Sequence, residues 1–179
     1  MISNKDYIQL QAYTRYDGAL TAVVWTVSFA LYIAGISNPL SMMAGMGLAV
    51  FSPFFIALRL RRYRDCAFDG CISFRRAYAY SFSVFCHAAL LFAIAQYVYF
   101  AFIDNGYLIG CMTSLLSDEQ TRQMIQASGM GKTVDEGLQA MRTVRPIDYA
   151  LNNLSLNFII GLAVSLPIAG IMRRERRNS

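Results

Sequence analysis

The stretch from Gly18 to Leu58 reads GALTAVVWTVSFALYIAGISNPLSMMAGMGLAVFSPFFIAL, 41 residues without one charged side chain. A helix rises about 1.5 Å per residue and the hydrocarbon core of a bilayer is about 30 Å thick, so a crossing takes roughly 20 apolar residues. The window is long enough for two crossings, and a turn divides it. Gly35, Ile36, Ser37, Asn38 and Pro39 combine a flexible residue, a capping residue and a helix-starting proline. Spans are therefore predicted over about 19–35 and 39–58. A re-entrant hairpin is disfavoured because neither half is short.

Two further charge-free windows follow, Ala77–Ile103 with 27 residues and Tyr149–Met172 with 24. They predict spans over about 77–103 and 151–172. Of the 179 residues, 56% are hydrophobic and only 15% charged, where a soluble domain carries about a quarter charged. This excludes intrinsic disorder and an ordinary water-soluble globule. The predicted class is all-α: a polytopic membrane protein, one domain over residues 1–179, with four transmembrane helices.

The basic residues orient it. Lys5 and Arg15 precede span 1; Arg59, Arg61, Arg62, Arg64, Arg75 and Arg76 lie between spans 2 and 3; Arg173, Arg174, Arg176 and Arg177 follow span 4. These are 12 of the 16 basic residues, and four spans put all three groups on one side. The positive-inside rule makes that side the cytoplasm, with both termini there. The expected location is the cytoplasmic (inner) membrane. The opposite segment, 104–148, has four basic residues against six acidic ones. The net charge of +5 is thus a topology signal, and no nucleic-acid partner is expected. The polar start, with Asp6 and Asp17, lacks a cleavable signal pattern, so span 1 is expected to be retained.

Two segments outside the spans have helical signals. Tyr7, Ile8, Leu10, Tyr13 and Tyr16 suggest a short helix at headgroup level before span 1. In the outer segment, Ser117 with Gln120 and Thr133 with Glu136 have capping-box spacing. They predict a helical hairpin between the third and fourth transmembrane helices, over about 118–128 and 134–143. A folded connector is favoured there over a binding cap.

Three groups of residues carry candidate chemistry. His87, the only histidine, shares a helix face with Ser83, Tyr80 and Arg76, a polar stripe entering the membrane. A proton relay or a headgroup contact would use it. A neutral imidazole bonded to a neighbouring span is favoured, because no intramembrane acid or base accompanies it. Arg59, Arg61, Arg62 and Arg64 form a candidate contact for anionic lipid, although orientation alone explains them. Gly161, Ser165 and Ala169, four apart, form a small-residue stripe for close helix packing, with Ala44, Gly45 and Gly47 of span 2 as a candidate opposing surface. Pro53 and Pro167 interrupt spans 2 and 4, with Ser52 and Ser165 placed to bond freed carbonyls. Cys66, Cys71, Cys86 and Cys111 are expected as free thiols. No catalytic, cofactor-binding or metal residue is assigned: the HExxH, GxSxG and phosphate-loop patterns are absent.

Tyr63-Arg64-Asp65, Gly70, Ile72-Ser73-Phe74 and Ala77, with an aromatic run ending in Ile103-Asp104, resemble a family of small bacterial membrane proteins. It is the domain of unknown function four-one-nine-nine. The resemblance implies four spans and a basic tail, and it carries no activity. Family members often have glycine where this chain has Ser81, four after the motif alanine. Read physically, Gly70 permits a turn, Ser73 caps span 3, Ile72 and Phe74 dip into the interface, and Asp65 pairs with a nearby arginine.

The expected role is a non-enzymatic accessory or scaffold protein of the bacterial cell envelope. Its partners would be membrane lipids and either a second copy of itself or a membrane enzyme. The alternative is a small oligomeric lipid or solute carrier with His87 and the loop arginines at its site.

Overall fold

The computed structural model describes residues 4–36 and 38–174. Ser37 of the predicted turn, Arg176 and Arg177 of the basic tail and the side chain of Lys5 lie outside the described residues. Every regular element is helical: α1 (Asn4–Ala34), α2 (Pro39–Ala67), α3 (Phe74–Val98), α4 (Tyr107–Ser117), α5 (Glu119–Ala127), α6 (Gly131–Thr143) and α7 (Pro146–Met172). A π-helical turn, Tyr99–Ile103, extends α3. The fold is all-α, and α1, α2, α3 with its π turn, and α7 are each long and apolar enough to cross a membrane. Only 17–39% of the most apolar window of each is buried inside the protein. Apolar exteriors on that scale require hydrocarbon around them.

The chain divides into two compact units, Met1–Ala95 with Asn152–Ser179, and Gln96–Leu151. In the first, α1 and α2 form the antiparallel hairpin that the central turn predicts. The Asn38 side chain accepts from Leu40 N at 3.1 Å, and Pro39 opens α2. The two backbones nearly touch at Gly45, where a Cβ would lie 2.7 Å from Ser28 O, and Ser28 Oγ donates to Gly45 O at 2.7 Å. The separate headgroup-level helix is not observed. Residues 4–34 are one continuous helix, with no proline to break it and with Thr14, Asp17 and Thr21 turned inward and buried.

Helices α3 and α7 share a close seam. A Cβ on Gly161 would meet the Phe85 Cβ at 2.8 Å. At the seam's other end, Ile72 N donates to Arg174 O at 2.8 Å and Arg174 N to Ile72 O at 3.0 Å. Stepping four residues at a time from the Phe85–Gly161 contact puts Ser81 opposite Ser165 and Ala77 opposite Ala169 in this antiparallel register. All four are fully buried, so Ser81 packs where a glycine was the family expectation. Ser52 Oγ donates at 2.8 Å to Ala49 O, the carbonyl that Pro53 deprives of its helical donor. The corresponding serine beside Pro167 does not do this: Ser165 Oγ is buried without a partner among the described residues.

In the second unit the segment between α3 and α7 has three short helices rather than two. The extra one, α4, follows Asn105 and Gly106, both at positive φ, and the buried Asp104 carboxylate caps it by accepting from Gly106 N and Leu108 N at 3.2 Å. Ser117 does not cap α5, because its hydroxyl is committed to Thr113 O at 2.7 Å. The next residue, Asp118, accepts from Thr121 N instead. At the end of α5, Gly129 turns at φ +72°, and α6 starts at Gly131. Thr133 therefore lies inside its first turn rather than capping it.

Candidate functional site

The α1–α2 hairpin folds back around residue 38, so positions equidistant from it face each other. Asp17 and Arg59, the charges that bound the 41-residue window, are brought together this way. Arg59 Nε donates to Asp17 Oδ1 at 2.6 Å, and its Nη2 makes an ion pair with the same oxygen. The other oxygen, Oδ2, accepts from the Tyr80 hydroxyl of α3. Side-chain exposure is 2% for Asp17 and 17% for Arg59, and Tyr80 is fully buried. The Tyr16 ring lies 5.6 Å from the Arg59 guanidinium carbon, a cation–π contact on the half-open side.

An aromatic stack extends the cluster. Tyr63 of α2 stacks on Tyr80 at 4.6 Å and 13° and meets Tyr13 of α1 at 5.0 Å. Its neighbour Arg64 is 4% exposed, donates from Nε to Asp65 at 2.8 Å, and reaches Met172 O at the end of α7 with Nη1 at 3.3 Å. Gly70 turns at φ +83°, Ile72 is buried and bridged to the backbone of Arg174, and Ser73 O accepts from Ala77 N as α3 begins. Tyr63, Arg64, Gly70 and Ile72 thus tie one end of all four long helices together.

The sequence-predicted residues are placed as follows. In the polar stripe, Tyr80 bonds Asp17, and Arg76 holds its guanidinium 4.9 Å from the centre of the Phe68 ring. His87 Nδ1 lies 2.7 Å from Ser83 O. A carbonyl only accepts, so Nδ1 carries the proton. Its partner is on its own helix, and the helix beside it is α1: a Cβ on Gly18 would meet the His87 Cβ at 2.5 Å. The four loop arginines divide by helix face. Arg59 and Arg64 turn inward to Asp17 and Met172, while Arg61 and Arg62 are exposed. Arg61 reaches Asp65 at 3.9 Å, so Asp65 does pair with nearby arginines. Gly161, Ser165 and Ala169 are all buried, with Gly161 on Phe85.

Sequence reasoning missed Asp17, the acid that accompanies Tyr80 in the stripe. The signal was present. A charge-free hairpin brings its two bounding charges together, and these have opposite signs. Chemically, the arrangement holds a carboxylate with both oxygens occupied by donors, at the edge of the apolar window rather than at mid-depth. An ion pair at that depth escapes much of the desolvation cost of the bilayer centre. Among the described residues no group of three or more metal-ligating side chains converges.

The family model described as Protein of unknown function (DUF4199) matches residues 16–174. That range begins one residue before Asp17 and ends at the residue bridged to Ile72. No curated protein and no solved structure matches the chain.

Proposed function

The chain belongs to the DUF4199 family of proteins of unknown function, and from that premise we propose that it is a non-enzymatic accessory or scaffold protein of the bacterial cell envelope. It sits in the cytoplasmic membrane with residues 4 and 174 on the cytoplasmic side and associates with a second copy or with a membrane enzyme. The observation that carries this reading is the commitment of Asp17, Arg59 and Tyr80 to one another. The buried acid, base and phenol of this cluster, which a membrane enzyme or coupled transporter would direct at substrate, are here spent on joining α1, α2 and α3. The arginine distribution supports the orientation, since lysine and arginine are retained on the cytoplasmic side. The exposed apolar faces leave surface for association: on α2, Leu40, Met43, Val50, Phe54 and Leu58 are each more than half exposed.

Affinity purification in mild detergent tests this. The expected result is a stoichiometric partner, either an envelope membrane protein or a second copy. A monodisperse monomer that scrambles lipid or moves solute when it is the sole protein in liposomes overturns it in favour of the carrier reading.

A further inference from the structure

The second unit contains a cleft of about 310 Å³ between α4, α5 and α6, at the small end of ligand-site volumes. Four half-buried apolar side chains, Leu116, Ile125, Val134 and Leu138, one or two from each helix, lie on its lining among polar ones. Two guanidiniums, Arg122 of α5 and Arg142 of α6, stand on its lining with one carboxylate, Asp135. Neither arginine takes an ion-pair partner among the described residues, in contrast to Arg145, which is held by Asp148 at 2.9 Å. The cleft therefore presents a net positive charge beside four apolar side chains.

The geometry points to a site for the headgroup and first methylenes of an anionic membrane lipid. Charge complementarity selects the sign: two unpaired arginines against one acid favour a phosphate-bearing headgroup. The helix α4 selects the source. It runs eleven residues without a charge and none of them is buried in the protein, while Tyr107 and Leu115 are 44% and 58% exposed. A short uncharged helix with no fully buried side chain, joined to α3 through a few residues, finds the rest of its cover in the membrane interface. The cleft that it borders then opens where lipid phosphates are concentrated. This inference is independent of the scaffold reading.

The test uses the full chain in nanodiscs of phosphatidylcholine, alone or with phosphatidylglycerol, and follows hydrogen–deuterium exchange over residues 119–143. Phosphatidylglycerol is expected to slow exchange there about tenfold, given the attraction expected of two arginines at a charged surface. Arg122→Gln with Arg142→Gln is expected to abolish the protection, and Arg145→Gln to retain it. Asp135→Asn, which removes the one acid, is expected to deepen it. That opposite-signed change keeps the test decisive if the double variant misfolds. Equal protection of the wild type and a folded double variant overturns the site, as does no response to phosphatidylglycerol. Equal protection by inorganic phosphate in pure phosphatidylcholine overturns the lipid as its occupant.

Discussion

Replacing Asp17 by Ala removes the acceptor of two donors at once. Breaking a buried ion pair by deleting one partner costs about 3–5 kcal/mol. The low end applies, because the Arg59 side chain keeps 17% exposure and the Tyr16 ring remains beside it. The Tyr80 hydroxyl, fully buried, adds an orphaned donor at about 1–3 kcal/mol. The single variant is therefore expected to lose about 4 kcal/mol. Arg59→Met, which leaves a buried carboxylate with only Tyr80 as donor, is expected to lose about 3 kcal/mol. In the double variant no uncompensated charge remains. Its loss should be about 4 rather than 7 kcal/mol, a coupling of about 3 kcal/mol. Steric trapping in bicelles, or sodium dodecyl sulfate titration of α-helix content, measures all four corners of the cycle. Additivity within about 0.5 kcal/mol would mean that the two side chains do not interact, and the reasoning about how the hairpin is held would be wrong.

Four further outcomes follow from the same geometry. Tyr80→Phe, measured in the same unfolding assay, should cost about 1.5–3 kcal/mol, the range for a hydrogen bond to a charged group; a neutral result removes the hydroxyl from the cluster. Gly161→Leu should overpack Phe85, whose Cβ stands 2.8 Å from the site of a Cβ on residue 161, and cost about 1–3 kcal/mol; Phe85→Ala should restore part of it. Ser165→Ala should be neutral or stabilising by up to about 1 kcal/mol, since it deletes a buried hydroxyl without a partner, and a large loss would mean the hydroxyl is bonded after all. For orientation, a membrane-impermeant maleimide should label half-buried Cys111 in intact cells and exposed Cys66 only after permeabilisation; the reverse pattern inverts the topology.

The spans were legible because a missing charge is a local signal, readable one window at a time. The Gly35–Pro39 turn was legible for the same reason, since Asn38 and Pro39 act within two residues of themselves. The small-residue stripe at Gly161, Ser165 and Ala169 is legible from spacing alone, but its partner is Phe85 of α3 and not span 2, whose Gly45 packs on α1. What escaped notice depends on pairing across the fold. Asp17 looked like an ordinary polar residue ahead of span 1, and its meaning comes from Arg59, 42 residues away. Arg64 looked like one of four equivalent orientation charges. A helical face decides that it turns toward Met172 while Arg62 turns out. The helix α4 is not legible in the sequence because its start is set by Asp104 bonding backbone amides past two positive-φ residues. Its sequence by itself offers only a short apolar run.

The paired backbone bonds between Ile72 and Arg174 join positions about a hundred residues apart. During synthesis, Ile72 emerges long before Arg174 exists. Through that interval water holds the donor and the acceptor of the loop ahead of α3, and the seam has only one of its two faces. The nascent chain can insert its first three crossings while the ribosome is still attached, but it closes this end of the bundle only after the stretch following α7 has been released from the exit tunnel.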